Sequence, residues 1–415
     1  MNNDFDYDVV VAGGGPAGST AATLLAQHGH TVLLLERDKH PRFHIGESLL
    51  PCDLPLFDRL GMDMVGQGFL HKAGAEFFDE RSGDHARFHF SEGLPGTPGH
   101  AYQVERARFD AHVLDQAIRE GARVEFGVRV AGVEADDDGV TVQTSQGPRR
   151  ARYAIDATGQ DALLGHLGRS IRGIEDFGLA AVFRHFDDLS DPVWAELADE
   201  GQGSIRILVV EDGWVWIIPL AGRRVSVGVV TRKKGVTLDL FDRTWAASPM
   251  LQRLSHGCPR TELRIIRNFS YRNVGSHGPR WSCLGDAALF LDPVFSSGVS
   301  LAMLSGERFA DVLVPALRAG NEADPGLTRP VFDHMARAYT TFGSLIGAFY
   351  QTHIVQNVFF AKDPDPAIRA GLISTLAGDV WRDDNPFQDM LLERKGRRFE
   401  PYAEGQGPKP VRGRD

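Results

Sequence analysis

Gly13, Gly15 and Gly18 stand in G-x-G-x-x-G spacing within "YDVVVAGGGPAGSTAATLLAQHGHTVLLLERD", and Glu36 follows them. Glycines at this spacing let backbone amides close on a pyrophosphate, and a carboxylate about 20 residues on accepts from ribose hydroxyls. A second chemical group is "GWVWIIPL" (213–220), with Trp214, Trp216 and Ile218 two apart. On a strand these three share one face, and Pro219, which cannot donate to a ladder, is expected to end it. That face suits either a packed core or a wall beside a reactive centre. "HARFH" sets His85 and His89 four apart, but the surrounding alternation reads as a strand rather than the helix that would bring this spacing together as a ligand pair. No metal site is expected.

These residues need elements to hold them. Asp8–Ala12 reads as a short apolar strand, Pro16–Gln27 as a helix, and Thr31–Leu35 as a second strand ending in Glu36. This is the βαβ context in which the glycine motif binds a dinucleotide. Gly13 permits the turn, Gly15 admits the phosphates, Gly18 packs helix on strand, and the helix N-terminus faces the anion. Three distant stretches bear on which dinucleotide. "CLGDAALFLDP" (283–293) is a strand followed by Gly285 and Asp286. "VERARFD" (104–110) places Arg106 and Arg108 just before a helix. "AIDATGQ" (154–160) is a strand and turn returning to the nucleotide domain. In this order along the chain they resemble the segments with which flavoprotein monooxygenases hold the flavin's ribityl chain and phosphate, and that resemblance implies FAD. No second strand–glycine–helix unit is seen, so reduced flavin is expected from a separate flavin reductase.

The chain has 415 residues, 42% hydrophobic and 24% charged, with a formal net charge of −10. That suffices for two or three domains and argues against a nucleic-acid partner. The polar start "MNNDFDYD" is not a signal peptide, and no run of about 18 apolar residues is present, so no membrane span is expected. Cys52, Cys258 and Cys283 are odd in number and scattered, which suits a reducing cytoplasm. No P-loop, G-x-S-x-G or H-E-x-x-H occurs.

Taken together, "GGGPAGS" (13–19), "PRFHIGESLLP" (41–51), "FLHKAGAEF" (69–77), "WVWIIP" (214–219), "DPVFSSGVSLA" (292–302) and "LAGDVWRDDNPF" (376–387) resemble the flavin-dependent halogenases. The likeness is closer to short members acting on phenols, pyrroles or carrier-bound aromatics than to the longer tryptophan halogenases. "WVWIIP" fits the rather specific W-x-W-x-I-P signature, whereas "FHIGES" is shared with flavin reductases of the geranylgeranyl type. An aromatic monooxygenase or a geranylgeranyl-reductase-like oxidoreductase of the same fold is the alternative reading.

The resemblance implies that FADH2, supplied in trans, reacts with O2 to give a flavin hydroperoxide. Chloride or bromide then yields hypohalous acid, which travels to a lysine beside an electron-rich ring. That lysine is Lys72, acting either as a haloamine or as a hydrogen-bond donor. The resemblance also places the halide at the amides of Ser297 and Gly298. It makes Trp214, Trp216 and Ile218 a barrier that keeps the organic substrate off the flavin. FAD contacts are implied for Gly13, Gly15, Pro16, Ala17, Gly18, Glu36, Arg37, Ser48, Arg106, Asp286, Pro293, Gly298 and Val299. The substrate implied is a pyrrole or phenol, borne on an acyl or peptidyl carrier protein, in natural-product biosynthesis. One departure concerns Phe295, where tryptophan halogenases carry a glutamate.

The expected fold is α/β (α+β), a Rossmann-like FAD-binding domain of the p-hydroxybenzoate hydroxylase type with a β-sheet substrate domain. The FAD domain is expected over 1–75, 100–175 and 265–325, and the β-rich domain over 76–99 and 176–264. A helical region is expected over 326–395, forming one wall of the substrate pocket, and a loose tail over 396–415.

Overall fold

The computed structural model describes residues 5–211, 213–393 and 398–402. Val9, Val10 and Val11 are fully buried, as are Leu33 and Leu34. Such two-faced burial is what a parallel strand covered on both sides requires. Tyr7–Ala12 accordingly lies between Val32–Glu36 and Arg149–Asp156, parallel to both, with Val9 opposite Val32 and Tyr153. Trp281–Cys283 and Arg123–Phe126 extend this sheet on either side. Helix Pro16–Gln27 packs against Ser297–Ala319 and Arg106–Arg119. The first approach is close: a Cβ on Gly306 would stand 2.7 Å from the Ala17 carbonyl oxygen.

A second sheet has seven strands in the order Arg264–Arg267, Ala180–Phe186, Arg224–Thr231, Gly213–Leu220, Ile205–Val210, Gly74–Asp79, Asp84–His89. Its pairs are antiparallel except Ile205–Val210 with Gly74–Asp79. Alternation along Gly213–Leu220 sends Trp214, Trp216 and Ile218 into the main core, and Val215 and Ile217 into a separate core on the other face. Helices Arg329–Gln351, Pro366–Leu376 and Pro386–Leu392 form the C-terminal segment. Asp365 and Asn385 cap the last two with their side chains. The mixed α/β class and the helical C-terminal segment are as expected.

Details differ from the sequence reading. Pro219 does not end its strand, which runs on to Leu220 with Pro219 opposite Val225. Pairing with Ile205–Val210 stops at Ile217, so the missing donor falls where no ladder needs it. Arg106 and Arg108 lie inside the first turn of their helix rather than before it. His85 has an acidic neighbour, Glu76 from the adjacent strand, at 3.7 Å. Even so, among the described residues no group of three His, Cys, Asp or Glu could hold a metal. Of the tail, residues 398–402 pack: the Phe399 amide donates to Ser344 and its ring stacks on Phe177. The remainder, 396–397 and 403–415, lies outside the described residues. No described helix is long and apolar enough to cross a membrane.

Candidate active site

A cavity of about 560 Å³ opens where the first sheet meets the second. Gly13, Gly15, Pro16 and Ala17 line it from the first βα turn. Gly13 has φ +107°, and a Cβ there would stand 2.3 Å from the Ala157 carbonyl oxygen. A Cβ on Gly15 would meet only Arg42, at 3.6 Å, so that backbone is open to a ligand. Gly18 is outside the lining. A Cβ there would press within 2.0 Å of the Gly13 carbonyl oxygen, so its role is helix-on-strand packing.

Glu36 ends the second strand and accepts from the Gly14 and Asp38 amides, both at 2.8 Å. Burial raises its pKa, but His40 and the two amides outweigh that and lower it to about 2, keeping a carboxylate in the cavity wall. Arg37 also lines the cavity, donating to Asp161. Arg106 is buried, held by Asp110 at 2.7 Å and donating to the Ile45 carbonyl at 2.6 Å. Facing it is Asp286, whose pKa burial pushes up to about 7 against the pull of Arg106. Ser48, Pro293, Gly298 and Val299 complete the predicted set.

These residues fit FAD. Ser48 and Glu47 line the cavity, and the Ser48 hydroxyl and Glu47 Oε2 are buried with no hydrogen-bond partner among the described residues. Buried polar atoms rarely stay unpaired, so a polar ligand is their natural complement. The amides at the N-terminus of Pro16–Gln27, the Gly15 opening and the Glu36 carboxylate match a dinucleotide's phosphates and ribose.

Trp214, Trp216 and Ile218 line the same cavity. Both tryptophans are braced. Trp214 Nε1 donates to the Tyr350 hydroxyl at 2.8 Å, which donates to Asp292 Oδ2 at 3.0 Å. Trp216 Nε1 donates to Ser226 at 3.1 Å. Its ring lies on Gly228, where a Cβ would stand 2.1 Å away. The same side chains thus belong to the main core and line the cavity.

Lys72 does not line the cavity. It is 1% exposed and closes the strand Leu70–Lys72. Its Nζ donates to the Leu49 carbonyl at 2.7 Å, one residue along from Ser48, and lies 5.3 Å from the Phe90 ring centre. Burial lowers its pKa from 10.5 to about 7, with Asp53 and Cys52 pulling the other way. Ser297 is buried and also outside the lining; Ser296, with φ +58°, caps its helix, and Gly298 faces the cavity. Phe295 sits among aromatic rings, edge-on to Phe349 at 5.9 Å and near Phe359. The C-terminal helical segment contributes nothing to the lining of this cavity.

Several lining residues escaped the sequence reading, among them Arg42, His44, Glu47 and Gln160. Glu47 Oε1 pairs with His185 of the second sheet at 2.8 Å. No spacing rule separates the lining members of "FHIGES" and "ATGQ" from their neighbours. Tyr350, Asp292 and Asp53 gave no signal beyond residue type.

The profile of a family described as "FAD binding domain" matches residues 6–323. A 1H-pyrrole-2-carbonyl-[peptidyl-carrier protein] chlorinase from Pseudomonas fluorescens is 31% identical, over 91% of this chain and 90% of its own. A 1H-pyrrole-2-carbonyl-[peptidyl-carrier protein] brominase from Pseudoalteromonas luteoviolacea is 30% identical, over 95% and 98%. Among solved structures, the myxobacterial chondrochloren halogenase CndH superposes with a TM-score of 0.75 at 29% identity, covering 92% of each chain. With a flavin cavity of this construction and such relatives aligned along nearly their whole length, the chain belongs to the FAD-dependent halogenases.

Proposed function

We propose that the protein takes reduced FAD from a separate flavin reductase and, with O2 and chloride or bromide, halogenates an electron-rich aromatic ring carried on a carrier protein. The reading includes a cytoplasmic setting, where reductase and carrier would meet it. A pyrrole is the first candidate, because the two relatives above act on a pyrrole-2-carbonyl group held on a peptidyl carrier; a phenol is the second.

The observation that carries this reading is the Lys72 amine, fully buried beside the cavity yet outside it. FAD, bound along Gly13–Ala17, Glu36, Arg106 and Asp286, supplies the reducing power that lets O2 oxidise halide to hypohalous acid. The chain's own residues do the rest. Trp214, Trp216 and Ile218 fill the space in which an aromatic substrate would have to lie to meet the flavin. The Ser297 and Gly298 amides, in the first turn of a long helix, offer donors to a halide. Lys72 receives the small oxidant. As a free amine it attacks the halogen of HOX, forming a nitrogen–halogen bond and releasing water. As an ammonium it donates to HOX and makes the halogen more electrophilic. A pKa near 7 makes both forms available. Phe295, set among aromatic rings, supplies no carboxylate of its own at that position, which suits a ring that needs none there.

The test is a reconstituted reaction with flavin reductase, FAD, NADH and chloride or bromide. Pyrrole-2-carbonyl carrier protein and free pyrrole-2-carboxylate are offered in parallel. Halide-dependent replacement of hydrogen by halogen on the carrier-bound ring is expected, with little on the free acid. Equal turnover of the free acid would remove the carrier from the reading. Lys72→Ala should bind FAD normally yet form no halogenated product.

A further inference from the structure

Asp53 is a second buried group that acts electrostatically on Lys72. It is 0% exposed and ends the short turn Pro51–Asp53, which follows Ser48 of the cavity wall by way of Leu49 and Leu50. The peptide joining Leu49 to Leu50 serves both side chains. Its carbonyl oxygen accepts from Lys72 Nζ at 2.7 Å, and its N–H points to Asp53 Oδ2 at 3.4 Å. The same Oδ2 accepts from the Ser300 hydroxyl at 2.7 Å. Ser300 stands one turn beyond Ser297 and Gly298 on the same helix. Lysine, peptide, carboxylate and helix are thus one hydrogen-bonded chain.

We propose that Asp53 is the positioning residue of Lys72, a buried carboxylate fixed by Ser300 that decides how much of the Lys72 amine carries its proton during turnover. This rests on the proposed role of Lys72 in handling hypohalous acid.

The charged and titratable groups around the pair are few. Lys72 faces Asp53 and Cys52. Asp53 faces Lys72 and Cys52, whose thiol burial pushes well up and which in turn faces Asp379. Cys52 is therefore neutral near pH 7, and Asp53 is the group whose charge changes there. Burial raises the Asp53 pKa to about 7, against Ser300, the Leu50 amide and Lys72. Acid and base titrate in the same range, so each alters the other. A carboxylate beside an ammonium favours the charged amine, so an ionised Asp53 holds the Lys72 pKa up. Removing the carboxylate must move the amine's titration to lower pH.

Asp53→Asn keeps the shape and the contacts to Ser300 and Leu50 while removing the charge. Ser300→Ala leaves Asp53 in place but takes away a donor that favours its ionised form, so it should act in the same direction and less. Labelling with 13Cε-lysine, read by NMR across pH with the Lys72 signal assigned by its loss in Lys72→Ala, follows the buried amine without any turnover and without a reagent having to reach it. We expect the titration curve of Asp53→Asn to fall by about one pH unit, about tenfold more free amine at a given acidic pH. The pH profile of halogenation should move with it, while FAD affinity stays at wild type. A curve superimposable on wild type in both variants, or one displaced to higher pH, overturns the proposal. Should Lys72→Ala still halogenate, the role of Lys72 falls, whereas the titration curves still report whether Asp53 governs its proton.

Discussion

Lys72→Met should abolish halogenation and at the same time make the protein more stable. The side chain is 1% exposed, and burial lowers its pKa from 10.5 to about 7. A pKa lower in the folded state than in the unfolded chain means that folding releases a proton between about pH 7 and pH 10.5. Stability contributed by the neutral amine is therefore present above pH 10.5 and is lost as pH falls toward 7, where the loss levels off. At about 1.36 kcal/mol per pH unit, the cost near pH 7 is on the order of 4 kcal/mol. Methionine has nearly the same length, fills the space under Phe90 and carries no charge. Against the gain stands the lost hydrogen bond to Leu49, worth about 1–3 kcal/mol as a charged donor in a buried setting. The net expectation is a stabilisation of about 1–3 kcal/mol at pH 7, shrinking above pH 9. Urea denaturation of wild type and variant at pH 7 and pH 10, with saturating FAD, measures it. Halogenated product per NADH consumed is followed in the same preparations. An active Lys72→Met enzyme would refute the functional half. A variant less stable than wild type at pH 7 would refute the electrostatic half, leaving a lysine whose burial is costless.

Trp216→Ala should open space in the cavity wall above Gly228, destabilise the protein by about 3–5 kcal/mol, and raise peroxide released per NADH consumed. Unchanged coupling, read as product against peroxide, would reduce the tryptophan to packing. Tyr350→Phe removes the acceptor of the Trp214 indole, which is otherwise buried. It should cost about 1–3 kcal/mol in thermal unfolding and produce a milder version of the same uncoupling. Gly13→Ala must place a Cβ within 2.3 Å of the Ala157 oxygen at φ +107°. Flavin fluorescence titration should show FAD affinity reduced more than tenfold, and wild-type affinity would mean that the turn yields.

The sequence disclosed most where local patterns carry the physics. The βαβ unit from Tyr7 to Glu36 was readable because glycine spacing, helix length and strand alternation are all set by near neighbours. The shared face of Trp214, Trp216 and Ile218 was readable for the same reason. What could not be read is burial that depends on distant segments. "FLHKAGAEF" alone gives a lysine among mixed residues, and its sealing by Leu49 and Phe90 follows from chain crossings. Asp53 meets Ser300 across 247 positions, and Trp214 meets Tyr350 across 136. Pro219 misled because a proline ends a strand only where both neighbours demand donors, and here one neighbour had already stopped.

The bracing of the tryptophans bears on how oxidant and substrate can be kept apart. A wall proposed to stop an aromatic ring while passing a molecule of two heavy atoms cannot rely on side chains that change rotamer. Trp214 is tied through Tyr350 to Asp292, which also accepts from the Gly178 and Val294 amides at 2.8 and 3.0 Å. One carboxylate thus joins the wall strand, the helix Arg329–Gln351 and the turn leading to Ser297. Tyr350, Asp292, Gly178 and Val294, which fix Trp214, all lie outside the cavity lining. The C-terminal helices, which add no residue to the cavity lining, act on it through this hydrogen bond. A change in the packing of the helix Arg329–Gln351 would be transmitted to Trp214 through Tyr350.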